Sequence, residues 1–120
     1  MLVKMDCAMS GGGGESVDLL HPDIYTNGYA STNTMVNTVV TQKPRYVIAF
    51  SSNASVQQIA LIIDCDAEKY TADWRWSGSF YKEEDKAFGN LITISSSNVG
   101  INFYSFFGGS ATYYSINIYY

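Results

Sequence analysis

The stretch from Tyr46 to Asp66, YVIAFSSNASVQQIALIIDCD, limits the fold of this chain more than any other. It holds two short apolar runs, Tyr46-Val47-Ile48-Ala49-Phe50 and Ile59-Ala60-Leu61-Ile62-Ile63. Between them lie Ser51, Ser52, Asn53, Ala54 and Ser55, mostly side chains that suit turns. Runs this short, rich in β-branched and aromatic residues and bounded by turn formers, fit core strands better than helices. The pattern predicts two buried strands joined by a polar turn. Alternation places Val47, Ala49, Ile59, Leu61, Ile63 and Cys65 inside, with the opposite parity of the first strand as the alternative.

Composition sets the wider frame. A chain of 120 residues with 47% hydrophobic content suits one domain, 1–120, with a real core. Only 15% of residues are charged, and Tyr (10) outnumbers Trp (2). That balance suits a β-protein with hydroxyl-rich outer faces and excludes disorder. The net charge of -4, with 7 scattered Lys and Arg, argues against nucleic acid and anionic membranes as partners. No apolar run reaches the length of a membrane span. The opening MLVKMDCAM is a poor signal peptide, because its apolar segment is short and interrupted, so nothing directs the chain to secretion. Cys7 and Cys65 both sit in apolar, strand-like contexts. They are expected as reduced core thiols, with a bridge between them as the alternative.

Taken in order, residues 2–8 alternate so that Val3, Met5 and Cys7 would face inward on a strand. Gly11 to Gly14 then form a flexible Gly-rich loop. Glu15 and Ser16 follow where a phosphate-binding loop needs Lys and a hydroxyl. The glycines could alternatively allow close backbone packing at an assembly contact. Glu15 to Thr32 reads as irregular, with turn signals at His21-Pro22-Asp23 and Asn27-Gly28. His21, the only histidine, precedes a proline and has no second ligand at metal spacing, so it is expected at the surface. Asn33 to Thr41 is β-prone and ends at Lys43-Pro44. Asp64, Asp66, Glu68 and Asp73 lack the glycine turn and terminal Glu of a calcium loop. No metal or other cofactor is expected.

The segment Thr71 to Tyr81, TADWRWSGSFY, reads as one strand. Trp74, Trp76, Gly78 and Phe80 would share one face, and Asp73, Arg75, Ser77, Ser79 and Tyr81 the other. Both Trp side chains are expected in the core. The functional alternative is an aromatic platform for a sugar ring, with Trp74 and Trp76, or Tyr81 and Arg75, as contacts and Asp73 as acceptor. Lys82 to Lys86 reads as a charged loop. Strands are expected at Asn90 to Ser96, Gly100 to Phe107 and Ala111 to Tyr120, the last two forming a hairpin about Gly108-Gly109. Tyr104, Phe106, Tyr113 and Tyr119 would then lie on the face away from the aliphatic residues and form an oligomer contact. About eight strands and no helix predict an all-β, single-domain antiparallel β-sandwich of jelly-roll type.

Several segments together resemble a module of phages and prophages of Gram-positive gut bacteria. They are VKMDCAMSGGGG, QKPRYVIAFSS, LIIDCD, LITISSSNVGINF and YYSINIYY. In that family a Lys-Pro-basic-Tyr segment leads into the first core strand, a later strand ends in a Gly-hydrophobic step (here Val99-Gly100-Ile101), and a Tyr-rich strand closes the domain. This chain departs from the pattern at Gln42, where a Gly-aromatic pair is common, and at Asn98-Val99, where Asp-Asn is common. The resemblance implies a small β-sandwich on a virion surface, in a tail fibre, head fibre or decoration protein. It implies synthesis in the host cytoplasm, a homo-oligomer (a trimer by family analogy), contacts with other virion proteins, and help in adsorption to a host surface, with no fixed ligand. A bacterial cell-surface glycan as partner is the separate expectation of the aromatic platform. It carries no catalytic residues across. Two other functions stay open: a purely structural capsid or tail assembly protein, and a carbohydrate-active enzyme using Asp64, Asp66, Asp73 or Glu83.

Overall fold

The computed structural model describes residues 4–6, 16–53 and 57–120. Expectations placed on Val3, Cys7, Gly11 to Gly14, Ala54 and Ser55 lie outside these residues. The fold is an all-β sandwich. Its strands are β1 (Lys4–Asp6), β2 (Ser16–Asp18), β3 (Ile24–Ala30), β4 (Val36–Val39), β5 (Tyr46–Ser52), β6 (Gln57–Asp64), β7 (Lys69–Trp76), β8 (Ser79–Ala87), β9 (Ile92–Ile94), β10 (Asn98–Ile101) and β11 (Thr112–Tyr119). One helical turn, α1 (Phe103–Phe106), precedes β11. The larger sheet has the order β3-β11-β5-β6-β7-β8, the smaller β4-β10-β9, and β1 and β2 form a separate ribbon.

The two apolar runs are the centre of the larger sheet. β5 and β6 pair antiparallel, with Val47 opposite Ile63 and Ala49 opposite Leu61. The six residues expected inside, Val47, Ala49, Ile59, Leu61, Ile63 and Cys65, are all at most 3% exposed. The first of the two parities is therefore the right one. The smaller sheet supplies the other half of the core through Ile92, Val99 and Ile101, which join the same apolar cluster. Ile116 and Ile118 of β11 and Ala72 and Trp74 of β7 complete it. At one end of the opposite, outer face, Tyr46 and Tyr119 are covered by Leu19, and the Tyr119 hydroxyl donates to the Leu19 carbonyl at 2.9 Å.

Four expectations are corrected. First, the segment after residue 15 is not irregular: β2 and β3 lie within it. Asn27-Gly28 is no turn but the middle of β3. A side chain at Gly28 would collide with the Tyr114 phenol, so a close approach explains the glycine. Second, TADWRWSGSFY is a hairpin. Ser77 and Gly78 both have positive φ (48° and 83°), the conformation of a tight two-residue turn. Third, Lys82 to Lys86 is not a loop but part of β8, the edge strand of the larger sheet. Charge on an edge is a common defence against unwanted pairing.

Fourth, the expected last hairpin does not form. β10 and β11 belong to different sheets, and the residues between them make a helical turn. Phe103 and Phe107 are four apart, so a turn of helix buries both as well as a strand would, and both are buried. Asn102 caps the turn, its side-chain oxygen accepting from the Ser105 N–H at 3.0 Å. Gly108 and Gly109 then donate to the Ser105 and Tyr104 carbonyls, which closes the turn. The proposed oligomer patch therefore dissolves. Tyr113 is exposed on the larger sheet, Phe106 packs on Tyr70, Tyr104 lies on the helical turn, and Tyr119 is buried.

Candidate functional site

Strands alternate their side chains, so the residues between the core positions of β11, β5, β6 and β7 form the outer face of the larger sheet. Strand register lines them up in rows. One row runs Ser115, Phe50, Ala60, Asp73, Lys82. The next runs Tyr113, Ser52, Gln58, Arg75, Phe80. Ala60 has only a methyl group, while Phe50 and Asp73 flank it. The result is an open groove of about 460 Å³ lined by Phe50, Ser52, Gln58, Ala60, Asp73, Arg75, Phe80, Tyr113 and Ser115, among others. That size lies within the range of sites for small ligands.

The walls of the groove are aromatic and the ends are polar. Phe50, Phe80 and Tyr113 are exposed, Phe80 at 69%. The Arg75 guanidinium lies over the Phe80 ring, 5.1 Å from its centroid. This stacking restrains the cation and leaves its N–H edge free to donate. Tyr113 is braced by Tyr29 of β3, ring centroids 4.7 Å apart. Asp73 supplies a carboxylate acceptor two residues from Arg75 on the same face. Flat apolar surfaces bordered by fixed donors and acceptors suit a ring with C–H faces and hydroxyl edges.

The five residues expected at a ligand site are divided by the turn at Ser77-Gly78. In a two-residue hairpin Trp74 stands opposite Tyr81, and Arg75 opposite Phe80. An unbroken strand would instead put Phe80 with Trp74, and Tyr81 with Arg75. The hairpin exchanges the two aromatics. Asp73 and Arg75 thus line the outer groove together with Phe80. Trp74 is buried, stacked on Tyr81 at 5.8 Å and edge-on to Phe107 at 5.6 Å. Its indole N–H donates to Glu83 Oε1 at 2.9 Å, so its polar atom is satisfied. Trp76 and Tyr81 share the core-side parity of Trp74 but are exposed. The expectation that both Trp side chains are core holds for Trp74 and fails for Trp76.

The carboxylates are dispersed. Asp73 lies on the outer face and Glu83 on the core side, bonded to Trp74. Asp64 closes the turn after β6 by accepting from the Ala67 N–H at 3.1 Å, and Asp66 lies 4.0 Å from Lys43. His21 is exposed, its Nδ1 2.7 Å from the Asp18 carboxylate. Among the described residues no group of three His, Cys, Asp or Glu is placed to hold a metal ion.

Sequence reasoning missed Phe50, Gln58, Ala60 and Ser115 as parts of one surface. The signal was present in the half of the alternation that does not enter the core. Phe50 shares no parity with Val47 and Ala49, so the alternation that buries those two turns its ring outward, into the groove that Phe80 and Tyr113 also line. No family model, no curated protein and no solved structure matches this chain.

Proposed function

We propose that this chain is a non-enzymatic recognition module that binds a glycan of the bacterial cell surface through the outer groove of its larger sheet. The virion setting, with adsorption to the host as its purpose, rests on the sequence resemblance. The observation that carries the ligand class is the groove itself. Aromatic walls at Phe50, Phe80 and Tyr113 flank the polar pair Asp73 and Arg75 on an open surface. Openness favours a chain of sugars that can run through the site over a small molecule enclosed by it. A shallow polar site gives weak single-site affinity, which repeated copies on a particle raise by avidity.

The test is binding of the parent and of Arg75→Ala, Phe80→Ala and Tyr113→Ala to a glycan array and to whole bacterial cells. Each variant is first checked for unchanged circular dichroism. The parent is expected to bind, and each variant to lose affinity about tenfold, which is about 1.4 kcal/mol. Trp76→Ala, on the other face, is expected to bind like the parent. Binding should survive moderate salt, because no basic patch drives it. Equal binding by all folded groove variants would move the site elsewhere. A parent that binds no bacterial surface would leave the assembly reading in place of this one.

A further inference from the structure

The two edges of the larger sheet are built differently. β8 forms one edge and β3 the other. β8 carries Lys82, Glu83, Glu84, Asp85 and Lys86, and its ladder with β7 shifts register near Tyr70, where Asp85 takes a positive φ of 51°. Charge and a bulge are both devices that stop an edge from pairing with another strand. β3 has neither. Its seven residues, IYTNGYA, contain no charge and no proline. Its ladder with β11 is regular from Ile24 to Ala30, and among the described residues no strand pairs on its other side. Alternate residues therefore turn their backbone N–H and C=O groups toward the open side.

We infer that β3 is the pairing edge of a closed dimer, in which β3 of a second copy lies antiparallel beside it. A second copy is the occupant that the composition fits. A neutral strand meets its own image about a twofold axis with no like charges opposed, whereas two β8 strands would bring carboxylates together. Overlap is greatest with the axis at Asn27, the middle residue of β3. That register sets Tyr25 of each copy opposite Tyr29 of the other, and both are exposed on the outer face. The two larger sheets become one. Tyr29 already leans on Tyr113, so the joined surface runs from one groove to the other. The assembly is a twofold pair and not the trimer that the family analogy implies.

Asn27 is exposed, and the twofold axis would place it against itself, so charge at this position tests the geometry. The experiment measures mass in solution by sedimentation for the parent, Asn27→Lys, Asn27→Asp and a mixture of the two variants. The parent is expected as a dimer. Each variant alone is expected to dissociate several-fold more readily, and the mixture to recover a heterodimer at least as tight as the parent. Lys82→Glu, on the other edge, is expected to change nothing. A monomeric or trimeric parent overturns the inference. So does a pair of folded variants that associate like the parent, or a mixture that gains nothing over either alone. None of these results bears on whether the groove binds sugar, which the glycan assay reads separately.

Discussion

Cys65 directly follows β6 and has no exposed surface. Burial, with added repulsion from Asp64 and Asp66, pushes its thiol up from an ordinary 9.0 to about 12. The thiolate is the reactive form, so a thiol reagent at neutral pH is expected to label Cys65 only after denaturant is added. Fast labelling of Cys65 in the native protein, located by mass spectrometry, would contradict its placement. The same shift fixes a pH dependence. Below about pH 9 both folded and unfolded thiols are protonated, and the group is neutral to stability. Between 9 and about 12 the unfolded thiol ionises and the folded one does not. Stability then falls with rising pH, by about 1.4 kcal/mol per unit for this one group. Tyr70 and Tyr119, both raised first by burial, steepen the loss at the alkaline end. Urea midpoints measured from pH 8 to 11 would show the decline.

Among the elements, the turn at Ser77-Gly78 decides which side chains share a face. Open space surrounds the position a Cβ would take at Gly78, so substitution there meets no neighbour. The cost of Gly78→Ala is then purely that of its positive φ, about 1–2 kcal/mol. Ser77→Asn should shift stability the other way by a few tenths, since Asn tolerates that conformation better. Urea unfolding of both variants checks the pair of signs. This turn also shows where sequence reading stopped. Ser-Gly between two aromatic stretches is a turn signal, but the alternation across it is equally regular on either side. Only pairing reveals that the parity changes. The central strands were legible because burial on one face repeats every second residue from Val47 to Ser51 and again from Ile59 to Cys65. The segment from Phe103 to Phe107 was not, because spacings of two and of four both bury its phenylalanines. β3 was hidden by Asn27-Gly28, a turn pair whose glycine serves Tyr114 instead.

At the scale of the whole molecule, two sheets and one helical turn must meet in one core. Phe103 joins them. It has no exposed surface and stacks on Tyr114 of β11, centroids 4.9 Å apart and planes 7° from parallel. Phe103→Ala should cost about 3–5 kcal/mol and lower the urea midpoint without changing the slope of the transition. A drop under 1 kcal/mol would mean the sheets hold together without it. The outer groove, by contrast, adds almost nothing to that core. Its residues occupy alternate positions of the strands whose remaining positions fill the interior, so the proposed recognition and the folding are written in interleaved letters of one text. Selection can rewrite Phe50, Ala60, Arg75, Phe80 and Tyr113 while Ala49, Leu61, Ala72 and Ile116 stay as they are. If the groove binds a host surface as proposed, a lineage following a changing host would diverge at every second residue of these strands. Two of its members could then bind unrelated surfaces, look dissimilar when aligned, and still share one backbone.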